Sequence, residues 1–194
     1  GIDALMFTHH HADHTNGLDD LRPVAWQNKA PLDVYAHQET IDELRTRFPY
    51  IFNEMTGNAG KLYKPFMSLH NVSSTQIVGG LTITAFEQDH HTCTSMGYRV
   101  GGFAYSTDVA HLDEAAFAVL EGVDTWVVDC TRREPHPSHS HMERTLGWIE
   151  RVKPRQAYLT HMNYTMDYDT IEATTPANVS PAYDGLVLSF PAVS

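Results

Sequence analysis

Thr8-His9-His10-His11-Ala12-Asp13-His14 is the stretch that sets the interpretation of the whole chain, because side chains that commonly bind metal ions crowd into it. If the backbone is extended at first, His9 and His11 point to the same side and can grip one ion. A turn into a helix at about Asp13 would place Asp13 and His14 near that pair, facing a second position. Imidazole and carboxylate ligands suit zinc and also manganese or iron. The stretch therefore predicts two neighbouring divalent metal ions.

Composition places this stretch in an ordinary globular chain with an unusual share of histidine. The sequence has 194 residues, of which 42% are hydrophobic and 10% aromatic, and this predicts one domain over residues 1–194. The 13 histidines equal the lysines and arginines together, and histidine is the usual metal ligand and proton carrier near neutral pH. The formal net charge of -11 argues against binding a long nucleic acid, which leaves a small substrate.

The apolar runs are too short for a membrane span, since none approaches the roughly 18 residues that a bilayer requires. The first residues also lack the basic region and apolar core of a secretory signal. We therefore expect no membrane partner and a cytoplasmic location. The sequence leaves the assembly open, with a homodimer as one alternative.

Strand and helix patterns alternate along the chain and predict an α/β fold. Residues 15–28 show helical spacing that Pro23 interrupts, and residues 53–70 show no clear periodicity. Gly79-Gly80 and Gly101-Gly102 mark the turns of two hairpins. The predicted strands cover residues 2–7, 32–36, 76–78, 81–86, 96–100, 103–106, 125–129, 156–160 and 186–190. The predicted helices cover residues 38–48, 113–120 and 141–152.

Further ligand-type residues follow predicted strands at several points. His90, Asp108 and His161 each come just after a strand, and side chains at strand ends can converge on one edge of the sheets. Two close cations need an anionic bridge, for which Asp108 is the best candidate. His90 would then complete the first ion and His161 the second. The adjacent His91 leaves open which histidine of that pair is the ligand.

The order of these motifs resembles that of the metallo-β-lactamase superfamily. THHHADH is similar to its HxHxDH signature, and the matching segments that follow are QDHH at 88–91, STD at 106–108, DC at 129–130, HPSHSH at 136–141 and LTHM at 159–162. Within the superfamily, GLDDLRP at 17–23, GYR at 97–99 and PAYDGL at 181–186 look most like cyclic phosphodiesterases related to the phosphoribosyl 1,2-cyclic phosphate phosphodiesterase. The resemblance implies an αββα sandwich. Relatives usually begin with further strands, so the domain is expected to lack its N-terminal strands.

The same resemblance implies roles for single residues. The ligands of one ion would be His9, His11 and His90, those of the other Asp13, His14 and His161, with Asp108 between the two. A histidine that binds no metal is the proton donor in these relatives, and it maps onto His139, with His141 two residues away as its rival. Asp13 would share the proton handling. The plainer alternative is that His139 only caps the helix that follows it.

Together these residues predict a hydrolase that uses two divalent ions, zinc or manganese, to activate water against a phosphodiester. The expected ligand is a small cyclic phosphate, a nucleotide-like ester or a nucleotide monophosphate. Arg22 and Arg99 are candidates for clamping its phosphate, although an exposed salt bridge would explain either one. Three alternatives stay open: hydrolysis of a β-lactam, thioester or lactone, cleavage of transfer-RNA 3' ends, and a domain that binds nucleotides without turning them over.

Overall fold

The structure is a computed structural model that describes residues 1–57 and 60–190. It divides into two compact units. The N-terminal unit contains Gly1–Ser73 and Val78–Gly80, and the C-terminal unit contains Ser74–Ile77 and the chain from Leu81 onward. Strands and helices alternate in both, which confirms the predicted α/β class. Within the described residues, no helix has both the length and the apolar character needed to cross a bilayer.

Two small sheets lie in the N-terminal unit. Its strands are Ala4–Met6 (β1), Leu32–Ala36 (β2), Met55–Gly57 (β3), Gly60–Tyr63 (β4) and Met67–Asn71 (β5). β1, β2 and β5 form a parallel sheet with β2 in the middle, whereas β3 and β4 pair antiparallel. Residues 53–70, which show no clear periodicity in the sequence, therefore contribute strands that the sequence does not predict. Strands of three to five residues are too short to show a clear period in the sequence.

Short helices complete the N-terminal unit. They are Ala12–Thr15 (α1), Arg22–Asn28 (α2), Gln38–Arg47 (α3) and Pro49–Phe52 (α4), with a 3-10 helix at Leu18–Leu21. Pro23 lies in the first turn of α2, where its missing N–H costs no helical hydrogen bond. The helical pattern of residues 15–28 is divided next to Pro23, as the sequence predicts, because the 3-10 helix ends at Leu21 and α2 begins at Arg22. The buried side chains that form the core of this unit are Leu18, Ala25, Leu32, Val34, Leu44, Ile51, Phe66 and Met67.

A seven-stranded sheet is the main feature of the C-terminal unit. Its strands are Thr75–Val78 (β6), Leu81–Asp89 (β7), Thr94–Val100 (β8), Phe103–Ser106 (β9), Thr125–Asp129 (β10), Gln156–Thr160 (β11) and Val179–Pro181 (β12). The strands lie side by side in chain order. β7, β8 and β9 pair antiparallel, and β9 to β12 pair parallel. Because β9, β10 and β11 run in the same direction, the residues after Ser106, Asp129 and Thr160 leave the sheet at one edge.

Three helices accompany this sheet, namely Glu114–Leu120 (α5), Met142–Val152 (α6) and Tyr168–Thr174 (α7). The Asp113 carboxylate caps α5 by accepting a hydrogen bond from the Ala116 N–H at 2.8 Å. The core is built around Trp126, which is fully buried and donates its indole N–H to the Ser106 hydroxyl at 3.0 Å. Other buried members of this core are Leu112, Phe117, Leu120, Val128, Leu159, Ile171 and Val179.

The strand predicted at residues 186–190 does not form. These residues have no assigned secondary structure, and Val187 is 83% exposed. β12 forms the edge of the sheet instead, next to β11. The prediction was wrong because a short apolar run shows only that burial is favourable, whereas strand formation also needs a partner edge within reach.

Two glycines of the C-terminal unit offer a matched test of packing. A Cβ atom on Gly97 would lie 2.2 Å from the Phe86 ring and 2.7 Å from the Gln88 side chain, whereas one on Gly147 in α6 would meet nothing within 4 Å. We expect Gly97→Ala to lower the free energy of unfolding by about 1–3 kcal/mol through overpacking. Gly147→Ala should raise it by about 0.5–1 kcal/mol, because alanine loses less backbone entropy in a helix. Urea denaturation of both variants measures this, and an equally stable Gly97→Ala protein would contradict the packing described.

Candidate functional site

The segment between β1 and α1 brings together the four potential ligands of the N-terminal unit, which we call the motif cluster: His9, His11, Asp13 and His14. His11 is extended and is the N-cap of α1, so the chain changes from extended to helical here, as its sequence predicts. The ring centre of His9 lies 4.5 Å from that of His11 and 4.4 Å from that of His14. The Asp13 carboxylate lies 3.2 Å from His14 Nε2. The motif cluster therefore presents three imidazoles and one carboxylate within residues 9–14.

Hydrogen bonds from outside the motif hold its backbone in place. The Thr15 hydroxyl donates to the His11 carbonyl at 2.9 Å, and the Arg47 guanidinium donates to the His10 carbonyl and, at 3.2 Å, to the Thr15 hydroxyl. The His10 ring instead points toward Glu39, 3.9 Å from its carboxylate. Sequence reasoning missed Arg47, because it reaches the motif from α3 and no local pattern links the two.

The C-terminal unit contains a second set, the aspartate cluster, which consists of His90, Asp108 and His161. Asp108 is 2% exposed, and its Oδ1 accepts a hydrogen bond from the Thr107 hydroxyl at 2.7 Å. Its Oδ2 lies 3.5 Å from His90 Nε2 and 3.4 Å from His161 Nε2. One carboxylate oxygen of Asp108 thus lies close to the Nε2 atoms of two different histidines, an arrangement that suits a bridging ligand.

His90 rather than His91 belongs to this cluster. His90 is 1% exposed, and its Nδ1 lies 2.6 Å from the Ser138 carbonyl, which can only accept a hydrogen bond. Nδ1 must therefore carry the proton, which leaves the lone pair on Nε2, beside Asp108. His91 is exposed, and its backbone has a φ of 65°. A carbonyl that fixes the tautomer of a histidine in this way is typical of metal ligands.

The backbone around Asp108 is strained and is held by a buried polar network. Asp108 has a φ of 53° and His161 a φ of 58°, a region that residues other than glycine seldom adopt. The Ser95 hydroxyl donates to the Asp108 carbonyl at 2.8 Å, and Gln88 donates to both the Ser95 hydroxyl and the Thr107 carbonyl. These side chains come from β7 and β8, so the antiparallel part of the sheet fixes a loop that follows β9.

His139 lies against the aspartate cluster, where Asp129 holds it. The Nδ1 of His139 donates to Asp129 Oδ2 at 3.2 Å, and its ring stacks on that of His161 with centres 5.0 Å apart. Burial by itself lowers the pKa of His139, but the hydrogen bond and charge of Asp129 outweigh it, and the pKa stands above its ordinary value. Asp129 is fixed in turn by the Val109 N–H and the Thr131 hydroxyl, both at 2.9 Å. The sequence marked Asp129 within a motif but gave it no role.

The alternative that His139 caps the following helix does not fit these contacts. His141 is the N-cap of α6, and its side chain makes no capping hydrogen bond. His141 is only 6% exposed, and burial lowers its pKa, followed in effect by the charge of Arg144. The structure therefore separates the two rivals, since His139 meets the aspartate cluster and His141 packs at the start of a helix.

The two predicted phosphate clamps both have partners in the protein. Arg22 pairs with Asp19 at 2.6 Å, and its guanidinium lies over the Phe66 ring, 4.8 Å from its centre. Arg99 donates to the carbonyls of Gly101, Val119 and Glu121, which surround the C-terminal end of α5. Arg22 thus forms the salt bridge that was the alternative for these residues, whereas Arg99 binds backbone carbonyls instead.

The donor sets of both clusters fit divalent metal ions. A potential ligand atom of His9 lies within 4.8 Å of one of His11, and the same holds for Asp13 with His14, for His90 with Asp108 and for Asp108 with His161. Buried imidazole and carboxylate at such spacing, with His90 held in the tautomer that offers Nε2, match the chemistry of zinc and manganese sites.

Two relatives resemble the chain over nearly all of its length. It is 29% identical over 192 residues to a protein named octanoyltransferase from Porphyromonas gingivalis, a match that spans 95% of this chain but 37% of that protein. It is also 30% identical to a protein described as a new diphosphatase from the PhnP family. The crystal structure of that diphosphatase superposes on this chain with a TM-score of 0.85, and the match covers 95% of this chain and 69% of that one. The chain thus spans little more than a third of the length of the first relative.

A third comparison concerns the fold alone. The metallo-β-lactamase fold protein YhfI from Bacillus subtilis superposes with a TM-score of 0.73 at 18% identity, over 97% of this chain and 78% of that one. The sequence profile of the β-lactamase superfamily domain matches residues 1–162, which include every residue of both clusters. The chain therefore belongs to the metallo-β-lactamase superfamily, as the order of its histidine and aspartate motifs predicts.

Proposed function

We propose that this chain is a metal-dependent hydrolase that cleaves phosphodiesters, with a small cyclic phosphate or a nucleotide-like ester as substrate. The observation that carries this proposal is the environment of Asp108 Oδ2, which lies between His90 and His161 and next to a histidine held by Asp129. The diphosphatase of the PhnP family supports the choice of a phosphorus substrate, since its name describes cleavage at phosphate. The name octanoyltransferase describes a protein of which this chain matches only 37%.

Two divalent ions, zinc or manganese, are the proposed cofactors. We assign His9, His11 and His90 to one ion, Asp13, His14 and His161 to the other, and Asp108 to both. When bound, such ions would activate water and offset negative charge on the phosphate. The burial of His9, His90 and Asp108 supports this assignment, because these residues are at most 2% exposed and unfavourable to bury without a cation.

His139 is the proposed proton donor to the leaving oxygen. Asp129 holds Nδ1, so the ring is fixed in orientation and Nε2 is the nitrogen that can give its proton away. The raised pKa keeps a larger share of the ring protonated near neutral pH than an ordinary histidine would have. Asp129 acts as a positioning residue, and Asp13 is proposed to share in proton transfer because it is exposed beside His14.

Several other expectations remain predictions from the sequence. These are a nucleotide monophosphate as an alternative ligand, a homodimeric assembly and a cytoplasmic location. Hydrolysis of a β-lactam, thioester or lactone by the same residues is the outcome that would redirect the substrate assignment. A comparison of substrates decides it directly.

We expect the zinc- or manganese-loaded protein to hydrolyse bis-p-nitrophenyl phosphate and to leave the β-lactam nitrocefin intact. Removing the metal with a chelator should abolish the phosphodiesterase activity, and adding it back should restore it. Release of nitrophenolate and opening of the nitrocefin ring are both followed by absorbance. Turnover of nitrocefin without turnover of the phosphodiester would contradict the substrate assignment, and activity that survives the chelator would contradict the metal.

The adjacent histidines give a matched test of the ligand assignment. His90→Gln should weaken zinc binding by about 100-fold or more, since even losing a partner of a ligand costs about 10- to 100-fold. His91→Gln should leave the affinity unchanged, because His91 is exposed and its ring has no place in the aspartate cluster. Competition with a fluorescent zinc chelator measures both affinities. The reverse order of effects would move the ligand role to His91.

The proton donor is tested by His139→Ala, which should lower kcat for an ester with a poor leaving group by about 10²- to 10⁴-fold. An ester with a good leaving group, such as p-nitrophenolate, should suffer less, because it needs little protonation. His111→Ala is the control, since His111 is an exposed histidine of the same unit. Equal losses with both leaving groups would show that His139 supports the site in another way.

A further inference from the structure

Arg132 lies in the segment that connects β10 with α6, and its backbone is tied to the surroundings of both His139 and His161. The Arg132 carbonyl accepts a hydrogen bond from the Met142 N–H at 2.9 Å, beyond the segment that contains His139. The preceding residue, Thr131, accepts at its carbonyl from the Asn163 N–H at 2.9 Å, two residues after His161. The backbone at Thr131 and Arg132 is therefore hydrogen-bonded both to the segment that follows the proposed proton donor His139 and to the segment that follows the proposed ligand His161.

The guanidinium of Arg132 has no hydrogen-bonding or ionic partner among the residues that the structure describes, and its Nε is buried. Other half-buried arginines behave differently, since Arg99 and Arg144 donate to backbone carbonyls. Burying an N–H donor without a partner is costly, so the buried Nε of Arg132 calls for a ligand, an ion or ordered water. The contrast points to an anion that Arg132 receives from outside the protein.

The segment that begins at Arg132 contains the proposed proton donor. The hydrogen bond from the Met142 N–H to the Arg132 carbonyl closes this segment, and within it the rings of His136 and His139 lie 5.3 Å apart. Asp129, which holds His139, lies three residues before Arg132. Arg132 therefore belongs to the same loop as the proposed proton donor.

We propose that Arg132 binds a negatively charged phosphate on the leaving-group side of the substrate. This inference rests on the proposed function, in which His139 protonates the oxygen that departs. A guanidinium suits the task because it donates two parallel hydrogen bonds to one phosphate. The favoured substrates are then those whose leaving group carries a phosphate of its own, as in a nucleotide diphosphate linkage.

The reaction on such a substrate is hydrolysis of one P–O bond. Water supplies an oxygen to phosphorus, the bond to the bridging oxygen breaks, and His139 gives that oxygen a proton. His139 regains a proton from the attacking water, so atoms and charges balance without another reactant. Arg132 takes part by holding the second phosphate, whose negative charge would otherwise lie in a partly desolvated place.

The test compares two substrates in matched variants. ADP-ribose has a phosphate on either leaving group, whereas bis-p-nitrophenyl phosphate has none. Arg132→Gln should lower kcat/KM for ADP-ribose by about 10- to 100-fold, the usual loss of a charge-assisted contact, and should change the other substrate little. Arg133→Gln is the control, because Arg133 is exposed and carries the same charge. It should affect neither substrate.

Equal losses on both substrates, or none on ADP-ribose, would overturn the role of Arg132. Should Arg132→Gln fail to fold by circular dichroism, Arg132→Lys keeps the charge but not the planar fork, and a selective loss on ADP-ribose is again expected. If the unaltered protein cleaves neither substrate, the proposed hydrolysis fails. Calorimetry of ribose 5-phosphate binding then tests the phosphate site at Arg132 independently of catalysis. Binding weakened by Arg132→Gln but not by Arg133→Gln supports the phosphate site, and equal binding in all three proteins overturns it.

Discussion

The carboxylate of Asp108 is the group on which the rest of the C-terminal unit depends. It is buried, one of its oxygens is fixed by Thr107, and the other lies within 3.5 Å of two imidazole nitrogens. A carboxylate in such a place is unfavourable unless cations or donors compensate it. The backbone accepts a positive φ at this residue, and Gln88 and Ser95 hold the loop by hydrogen bonds. The strain and the buried network are therefore explained by the need to aim one oxygen.

The histidines around Asp108 are oriented by the groups on their far sides. A backbone carbonyl fixes the tautomer of His90, and a carboxylate fixes that of His139, although the two rings serve different ends. The carbonyl keeps the proton on Nδ1 of His90, so that Nε2 is the nitrogen beside Asp108, which suits a ligand. The carboxylate favours the protonated ring, which suits an acid. Hydrogen-bonding partners therefore distinguish the proposed metal ligand from the proposed proton donor, although the two rings lie 4.8 Å apart.

Sheet geometry explains how these residues come together from distant parts of the chain. β9, β10 and β11 are parallel neighbours, so Asp108, Asp129 and His161 follow strands that end at one edge. The sequence predicts this, because apolar runs followed by polar residues recur along the chain and residues 125–129 and 156–160 are strands as expected. The sequence gives no period for the short strands within residues 53–70, and its strand prediction at residues 186–190 is wrong, because strand formation depends on which edges are available.

The sequence by itself determined the superfamily, the type of ligand and the change from extended chain to helix at His11, because ligand chemistry and backbone period are local properties. Only the tertiary structure distinguishes His90 from His91 and His139 from His141 by their contacts, and it alone shows what Asp129 and Arg47 bind. Each of these distinctions depends on a contact with a residue that is distant in sequence or on a backbone angle, and neither can be read from the local sequence pattern. The same holds for Arg132, because only the tertiary structure shows that its guanidinium has no partner among the described residues.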